Sequence, residues 1–508
     1  MATIGVQFVK LAEANFIPAP DHASSIFIRS DGSVDPSTVP IQRVGNVYTF
    51  TGDVSGGIAV ERSNVIVDGN GYQLLGGGGG TGLYVKMENN VTVQNVRIHG
   101  FSYAFYWLNT NCSVIQGNQI VESGGINIQG SCYNNILQNT ITRGGVSLSR
   151  GSDSIIMDND VGGISILSAS NIIIKNNKVS NETRKDVEML YVADVGAINL
   201  EQSDNCEVFG NTIERKMIGI NIRQCTNLKF SNNTLVDNQV GFKLLGTQLE
   251  RNMHSIDTTN TVNGKPVYFL VNQSDIQVPT DAGWIAAINC NNITVENWAS
   301  TPNWDAILFV KTSDSRISNS TLTENFNAIR FDLVSNCTIF GNLISDNGYA
   351  AFYFEDTLNC TITENNVVDN FCYFNIWHNS ANNTFFHNNF IGNWTGSPGD
   401  RDIQNFWDNG FEGNYWEAYN ATDTNGDNIG DTQYIIDSYS NSTDRYPLMT
   451  PVSISNELPE FSSWTFTLIA LSVLIFALNV YKRKLHNKIR SKKRAICKHE
   501  LKQEINEE

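Results

Sequence analysis

Apolar and polar residues alternate along this chain in short blocks that recur about every 22 residues. Each block begins with Asn or Asp and places apolar side chains one and three positions later, as in Val65 and Val67 or Cys206 and Val208. Such alternation predicts a short, half-buried β-strand. A second Asn ends the block, often after Gly, and predicts a turn there because both residues tolerate left-handed backbone angles.

The slot of this second Asn persists through most of the chain and predicts a solenoid, in which each coil packs only on its neighbours. A second short strand, as in Gly125-Ile126-Asn127-Ile128, completes each coil. We predict an all-β parallel β-helix of roughly sixteen coils in which stacked Asn amides form a ladder. The slot falls at positions 70, 96, 118, 139, 159, 177, 211, 233, 298, 320, 342, 365 and 388, with Val96, Trp298 and Ser320 replacing Asn.

Two intervals break the period and predict insertions, which in solenoids often carry function. The first holds a loop at residues 181–191, and the second holds residues 253–266, which we interpret as an excursion off the helix. The predicted organisation is a remnant signal peptide at 1–14, a lead-in and cap at 15–45, and a β-helix at 46–416 with insertions near 181–196 and 246–285. It continues with a calcium-binding segment at 417–450, a linker at 451–463, a transmembrane helix at 464–481 and a basic tail at 482–508.

Charge is distributed unevenly, and this asymmetry predicts a membrane anchor. Residues 464–481 form an uncharged, mostly apolar run of 18 residues, at the short end for a membrane-spanning helix. The tail from Lys482 carries ten Lys or Arg and four Glu, a net charge of +6, which leaves −23 for the rest of a chain whose total is −17. The positive-inside rule then places the tail in the cytoplasm and the β-helix outside. The acidic body disfavours nucleic acid as a partner.

An exterior location also predicts export and glycosylation. Ala12-Glu13-Ala14 resembles the end of a signal peptide, but the apolar stretch before it is short, so we predict a translation start upstream of Met1. Thirteen Asn-X-Ser/Thr sequons precede residue 464 and none follows it. Many are by-products of the repeat, and the better candidates are in loops: Asn181, Asn272, Asn393, Asn420 and Asn441.

The positions of the cysteine, histidine and methionine residues argue against a disulfide framework and do not favour a copper site. Cys206, Cys337 and Cys360 occupy inward slots that hold Val or Ile elsewhere, so we predict buried free thiols and not a disulfide framework. The seven His and seven Met residues are scattered, which does not favour copper.

The sharpest local motif runs from Asp423 to Asp431 and predicts a structural calcium site. Every second residue could supply an oxygen ligand, as in the first part of a calcium-binding loop. The side chains of Asp423, Asn425, Asp427 and Asp431 and the backbone carbonyl of Ile429 would be these ligands. Asn428 stands where such loops have Gly and Tyr434 where they have Glu. The alternative is an Asx-rich surface turn without a cation.

Aromatic and acidic residues near the C-terminal coils supply the remaining candidates. Most of the aromatics are expected to cap the last coil, while Trp394 and Trp416 are candidates for stacking on sugar rings. Four carboxylates on neighbouring coils are weak candidates for an acid–base pair in sugar chemistry: Glu355, Asp356, Glu364 and Asp369.

The coils of the Asn336-Cys337-Thr338-Ile339 type, the segment Asn260 to Val267, and the ending Gly413-Asn414-Tyr415-Trp416 … Tyr446-Pro447-Leu448 resemble the NosD-type β-helix family over roughly residues 45–450. The resemblance implies a right-handed parallel β-helix; the family's namesake is a periplasmic accessory factor for a copper centre. Three functions stay open: a surface protein that binds glycans or builds the envelope, a polysaccharide lyase, hydrolase or epimerase, and a metal-delivery factor.

Overall fold

A computed structural model describes residues 24–180, 196–392, 399–400, 405–438 and 440–454, and these form a parallel β-solenoid of the right-handed type with about 16 turns. Nearly all regular structure is β-strand; the described helix is the short 3-10 turn Leu249–Arg251. The strands belong to two consecutive stacks of coils, and each coil of a stack contributes one strand to each of up to three sheets.

The first stack carries sheets A, B and C. Sheet A contains Val34–Asp35, Ser24–Ile28, Gly57–Val60, Thr81–Lys86, Tyr103–Leu108, Ile126–Gln129, Val146–Ser149, Ile164–Leu167, Ile198–Glu201, Ile218–Arg223 and Val240–Leu245. Sheet B contains Ile41–Val44, Val47–Phe50, Val65–Asp68, Val91–Gln94, Val114–Gln116, Asn135–Leu137, Ile155–Met157, Ile173–Lys175, Glu207–Phe209, Lys229–Ser231 and Ser255–Ile256. Sheet C contains Val54–Ser55, Gln73–Leu75, Arg97–His99, Gln119–Val121, Thr140–Ile141, Asp160–Val161, Lys178–Val179, Thr212–Glu214, Thr234–Val236 and Thr261–Val262.

The second stack carries sheets D, E and F and ends in a two-stranded hairpin. Sheet D contains Lys265–Val271, Trp284–Ile288, Asp305–Val310, Asn327–Asp332, Ala350–Glu355, Cys372–Trp377 and Gly399–Asp400. Sheet E contains Ser274–Gln277, Asn291–Glu296, Arg316–Ser318, Thr338–Phe340, Thr361–Thr363 and Thr384–Phe386. Sheet F contains Thr321–Thr323, Leu343–Ser345, Asn366–Val368, Asn389–Ile391 and Tyr415–Trp416, and the hairpin pairs Tyr434–Asp437 with Ser442–Asp444.

Buried Asn side chains form the predicted ladders and link the coils of each stack. In the first stack, each Nδ2 donates to the Oδ1 of the next rung at 2.8–3.0 Å, through Asn118, 139, 159, 177, 211, 233 and 260. In the second stack the rungs are Asn342, 365, 388 and 414, at 2.9 Å. The predicted role of the second Asn as the turn residue is wrong for these rungs. The positive φ angles belong to the first Asn of the block and to the residue before the second, such as Asn336 and Gly341.

The segment predicted to leave the helix instead joins the two stacks. Ser255–Ile256 and Thr261–Val262 continue sheets B and C, and Asn260 is a ladder rung, so the excursion is wrong. The chain then reverses at Asn263 and Gly264, both with positive φ, into an antiparallel pairing with Lys265–Val271. Asn-Gly is the strongest short hairpin signal, because both residues adopt positive φ.

Two strands just after the reversal, Trp284–Ile288 and Asp305–Val310, are buried on both faces. Trp284, Leu308 and Val310 pack into the core of the first stack. Ile285 and Phe309 pack into the core of the second. One sheet therefore separates two hydrophobic cores that share it as a wall.

Candidate functional site

A row of outward-facing polar side chains runs along sheet A at one register position. Each coil contributes one residue, paired in register with the next: Tyr84, Tyr106, Asn127, Ser147, Ser165, Asn199, Asn221 and Lys243. Asn221 Nδ2 donates to Asn199 Oδ1 at 2.6 Å. Tyr106, Asn199, Asn221 and Lys243 are buried, whereas Asn127, Ser147 and Ser165 are partly exposed on three successive coils. Parallel strands lie about 4.8 Å apart, so these three residues offer amide or hydroxyl groups at that repeat.

Beside this row, a groove of about 520 Å³ crosses the starts of the same strands. It is lined by Tyr103, Gly125, Ile126, Asn127, Gly144, Gly145, Val146, Ser147, Gly162, Gly163, Ile164, Ser165, Gly196, Ala197, Lys216, Met217 and Ile218. Glycine is required at this corner because the coils approach closely. A Cβ on Gly125 would lie 1.9 Å from the carbonyl oxygen of Gly145, and one on Gly145 would lie 2.0 Å from that of Gly163.

Tyrosine and lysine side chains bound the groove. The rings of Tyr84 and Tyr106 stack at 6.2 Å, and Tyr103 meets Tyr106 edge-on at 5.6 Å. Lys216 is buried, donates from Nζ to the Gly162 carbonyl at 2.7 Å, and has its pKa lowered by burial. Asn127 Oδ1, also buried, has no hydrogen-bond partner among the described residues.

The row ends at the junction of the stacks, where charged and aromatic side chains meet. Lys243 Nζ lies 3.6 Å from the ring centroid of Trp304, a cation–π contact. The buried Asp305 has its pKa raised by burial, against the opposing charges of Arg330 and Lys243. Trp304 begins a column of half-buried rings on successive coils, continued by Phe326 at 3.8 Å, Tyr349 at a further 5.0 Å and Phe371 at 6.4 Å.

The four carboxylates predicted from sequence occupy three different corners of the second stack. Glu355 and Asp356 lie at the end of a sheet D strand, whereas Glu364 and Asp369 are exposed at the ends of sheet E and sheet F strands. The structure places two unpredicted groups near Glu355 instead. Asp332 is its in-register neighbour, and His378 Nδ1 lies 2.9 Å from Glu355 Oε1.

Trp416, predicted to stack on sugars, is a core residue, which corrects that prediction. It is 2% exposed, its ring stacks on Phe390 at 4.3 Å, and its indole N–H donates to Asp444 Oδ2 at 2.9 Å. The last coil needs an apolar cap, and this ring supplies part of it. Trp394 lies outside the described residues.

The predicted calcium loop folds as a chain of Asx turns. Asp423 Oδ1 accepts the backbone N–H of Gly426 at 2.7 Å, and its Oδ2 accepts that of Asn428 at 2.9 Å. Asn428, which stands where calcium loops have Gly, has a left-handed φ of 70°. Hydrogen bonds from Thr424 and Thr422 lower the pKa of Asp431. Within the described part of the chain, no three His, Cys, Asp or Glu side chains group as metal ligands.

The remaining sequence predictions concern the glycosylation sites, the cysteines and the membrane helix, and only some of these residues are described by the structure. Asn272, Asn420 and Asn441 are exposed, whereas Asn181 and Asn393 lie outside the described residues. Cys206, Cys337 and Cys360 are buried free thiols, as predicted. The described ranges contain no helix long and apolar enough to cross a membrane, and residues 464–481 lie beyond them.

Sequence reasoning missed the row on sheet A, Asp332 and His378. The signal for the row was the polar residue within Gly125-Ile126-Asn127-Ile128 and Gly163-Ile164-Ser165-Ile166, repeated at one position on successive coils. Nothing in the local sequence marks Asp332 or His378, because their proximity depends on the register of three strands.

Comparisons with known proteins give one family and several distant structures. The family model described as periplasmic copper-binding protein (NosD) matches residues 45–268 and 281–421. No curated protein matches the chain. Dettilon tailspike protein is 13% identical, with a TM-score of 0.23 over 68% of this chain and 59% of the tailspike. A periplasmic alginate epimerase, AlgG, is 12% identical, with a TM-score of 0.21 over 72% of this chain and 70% of its own. A Thermotoga maritima exopolygalacturonase is 11% identical, with a TM-score of 0.17 over 61% and 72%.

Proposed function

This chain belongs to the NosD family of β-helix proteins, and from that premise we propose that it is a membrane-anchored surface protein that binds a polysaccharide along sheet A. The observation that carries the proposal is the in-register row from Asn127 through Ser165 beside a glycine-floored groove. The description of the family model names copper, whereas this proposal rests on the row and the groove and involves no metal.

The chemistry of the row suits a polymer of sugars. Amides and hydroxyls both donate and accept hydrogen bonds, as sugar hydroxyls do, and Asn127, Ser147 and Ser165 present them on three successive coils. The unpartnered Asn127 Oδ1 offers an acceptor beside the groove. Tyr84 and Tyr103 add aromatic faces at one end, where the apolar face of a pyranose ring can pack.

The proposed location rests on the sequence at the C-terminal end. The apolar run at 464–481, followed by ten Lys or Arg, supports one membrane-spanning helix with the β-helix outside. A reporter active only in the cytoplasm, fused after Glu508, is expected to be active. The same reporter inserted at the exposed Gly79 is expected to be silent.

Binding is tested by applying the purified full chain to a glycan array. We expect retention on a defined set of polysaccharides and loss of that retention in Ser147→Tyr, which places a ring in the groove without entering the core. Thr140→Tyr is the matched control, because Thr140 is exposed on sheet C of the same coil. Absence of any bound glycan, or equal retention of both variants, would refute the proposal.

A further inference from the structure

Among the described residues that line the groove beside sheet A, Lys216 is the one with a charged side chain. It is 8% exposed, and its Nζ donates to the Gly162 carbonyl oxygen at 2.7 Å. Lys216 precedes the strand Ile218–Arg223, whereas Gly162 precedes Ile164–Leu167, two coils earlier. The lysine side chain therefore extends along the groove and brings its ammonium group to the glycine corner.

This ammonium group has hydrogen-bonding capacity that the described residues leave unused. A lysine has three N–H donors, and the Gly162 carbonyl accepts from one of them. No described carboxylate pairs with Lys216, in contrast to Lys229, whose Nζ lies 3.0 Å from Glu207 Oε1. Burial lowers the pKa of Lys216, because the charged form loses hydration. A bound anion would offset that loss through both its charge and its hydrogen bonds.

The acidic side chains closest to the groove in the described chain already contact cations. The turns that precede the groove strands hold two described acids. Glu122 Oε2 lies 3.0 Å from His99 Nε2, and Glu214 Oε2 lies 3.8 Å from Arg215 Nη2. Arg143 adds an exposed cation in another of these turns. Among the described residues, positive charge therefore predominates at the groove, although the body of the chain is acidic.

Asn127 places a second polar group farther along the same groove. Its Oδ1 is buried without a partner among the described residues and can accept a hydrogen bond from a sugar hydroxyl. Asn127 pairs in register with Ser147, and Ser147 with Ser165 on the coil of Gly162. Two coil spacings therefore separate Asn127 from the ammonium group, about 10 Å. The two groups would contact different sugars of one chain laid along the groove.

We propose that the groove beside sheet A takes an acidic polysaccharide and that Lys216 binds the anionic group of one of its sugars, an inference that rests on the proposed function. Carboxylates and sulfate esters share the chemistry required, a negative charge on oxygens that accept hydrogen bonds. The ammonium group keeps its bond to the Gly162 carbonyl and donates its other N–H groups to the anion. Because this contact forms at a buried side chain, salt screens it less than it screens a surface ion pair.

The test compares acidic polymers with their matched neutral forms on the purified full chain, by isothermal titration calorimetry. Polygalacturonate is paired with its carboxyl-reduced form, and dextran sulfate with dextran. We expect the wild-type chain to bind at least one acidic polymer about tenfold more tightly than its neutral partner, or better. The pair in which this preference occurs identifies the anionic group as a carboxylate or a sulfate ester.

Two variants locate the preference. Lys216→Met keeps the apolar stem and removes the charge, so we expect it to bind the preferred acidic polymer about tenfold more weakly and to lose the preference over the neutral form. Lys229→Met is the matched control, because Lys229 is an exposed lysine on sheet B of the same coil. It changes the net charge by the same amount, and we expect it to keep the wild-type affinity.

Each contrary result has a distinct meaning. Equal affinity of the wild-type chain for acidic and neutral polymers overturns the inference and leaves the proposed function standing. A preference that survives in Lys216→Met, or that falls equally in Lys229→Met, also overturns it. Failure of the wild-type chain to bind any glycan removes both. The wild-type comparison needs no variant, so it tests the inference even where Lys216→Met folds poorly.

Discussion

Removing one rung of the Asn ladder tests whether these buried amides stabilise the solenoid. Asn365 is fully buried and donates to Ile339 O at 3.0 Å, Thr363 O at 2.9 Å and Asn388 Oδ1 at 2.9 Å. Its Oδ1 accepts the backbone N–H of Asn342 at 3.0 Å and the Nδ2 of the same residue at 2.9 Å. Asn365→Ala therefore removes five hydrogen bonds that connect three coils.

The expected cost follows from the groups left behind. The Asn342 backbone N–H loses its partner inside the protein, which costs about 1–3 kcal/mol, and the other lost bonds add about 1 kcal/mol each where water cannot replace them. We expect Asn365→Ala to lower the free energy of unfolding by about 3–5 kcal/mol. The neighbouring Asn366→Ala is the control: its side chain is half-buried and accepts one bond, from Asn389 Nδ2 at 2.7 Å, so we expect about 1 kcal/mol or less.

Urea denaturation followed by circular dichroism compares the two variants. Repeat proteins open locally, so hydrogen exchange of residues 336–391 is measured in parallel and is expected to accelerate in Asn365→Ala. Equal loss of stability in both variants would show that the ladder accompanies the fold without stabilising it.

Three further predictions concern other parts of the fold. Gly145→Ala should destabilise the first stack by more than about 2 kcal/mol, because its Cβ would meet the Gly163 carbonyl oxygen. Gly79→Ala is the control and should leave stability unchanged, because there is open space around Gly79. Thermal melts compare the two variants. Burial raises the pKa of Asp444 to about 6, so its protonation adds stability that is complete below about pH 4 and lost as the pH rises through 6. Asp444→Asn should remove this dependence, which is on the order of 3 kcal/mol. An unchanged pH profile of stability would contradict the assignment. We expect Ca²⁺ to raise the melting temperature of the wild-type chain and not that of Asp427→Asn; identical melts in Ca²⁺ and EDTA would assign the loop to Asx turns alone.

Local patterns predicted the coils well because each coil depends on its own residues and on equivalent residues one turn away. The inward slots held by Val65, Cys206 and Cys337 are buried, and the Asn slot is a ladder. The left-handed residue was assigned to the wrong Asn, since Asn-rich blocks offer several positions that tolerate positive φ.

Features that depend on contacts between distant coils were not predictable in the same way. Trp416 was a candidate for stacking on sugar rings, but the hairpin of Tyr434–Asp437 and Ser442–Asp444 brings Asp444 to its indole N–H. The Asn263-Gly264 reversal had a clear local signal, yet that signal was assigned to an insertion. Glu355 was a candidate from its coil alone, whereas its partners Asp332 and His378 depend on the register of sheet D.

The wall shared by the two cores sets different rules for lengthening the two parts of the molecule. A coil duplicated within the first stack, for example after Gly145, extends the row on sheet A by one position and leaves the strands Trp284–Ile288 and Asp305–Val310 untouched. A duplication at the wall would separate Trp284 from one core and Phe309 from the other. Adding or removing whole coils in the first stack is therefore expected to alter how long a polymer the groove beside sheet A accommodates, while the contact of Lys243 with Trp304 at the junction stays unchanged.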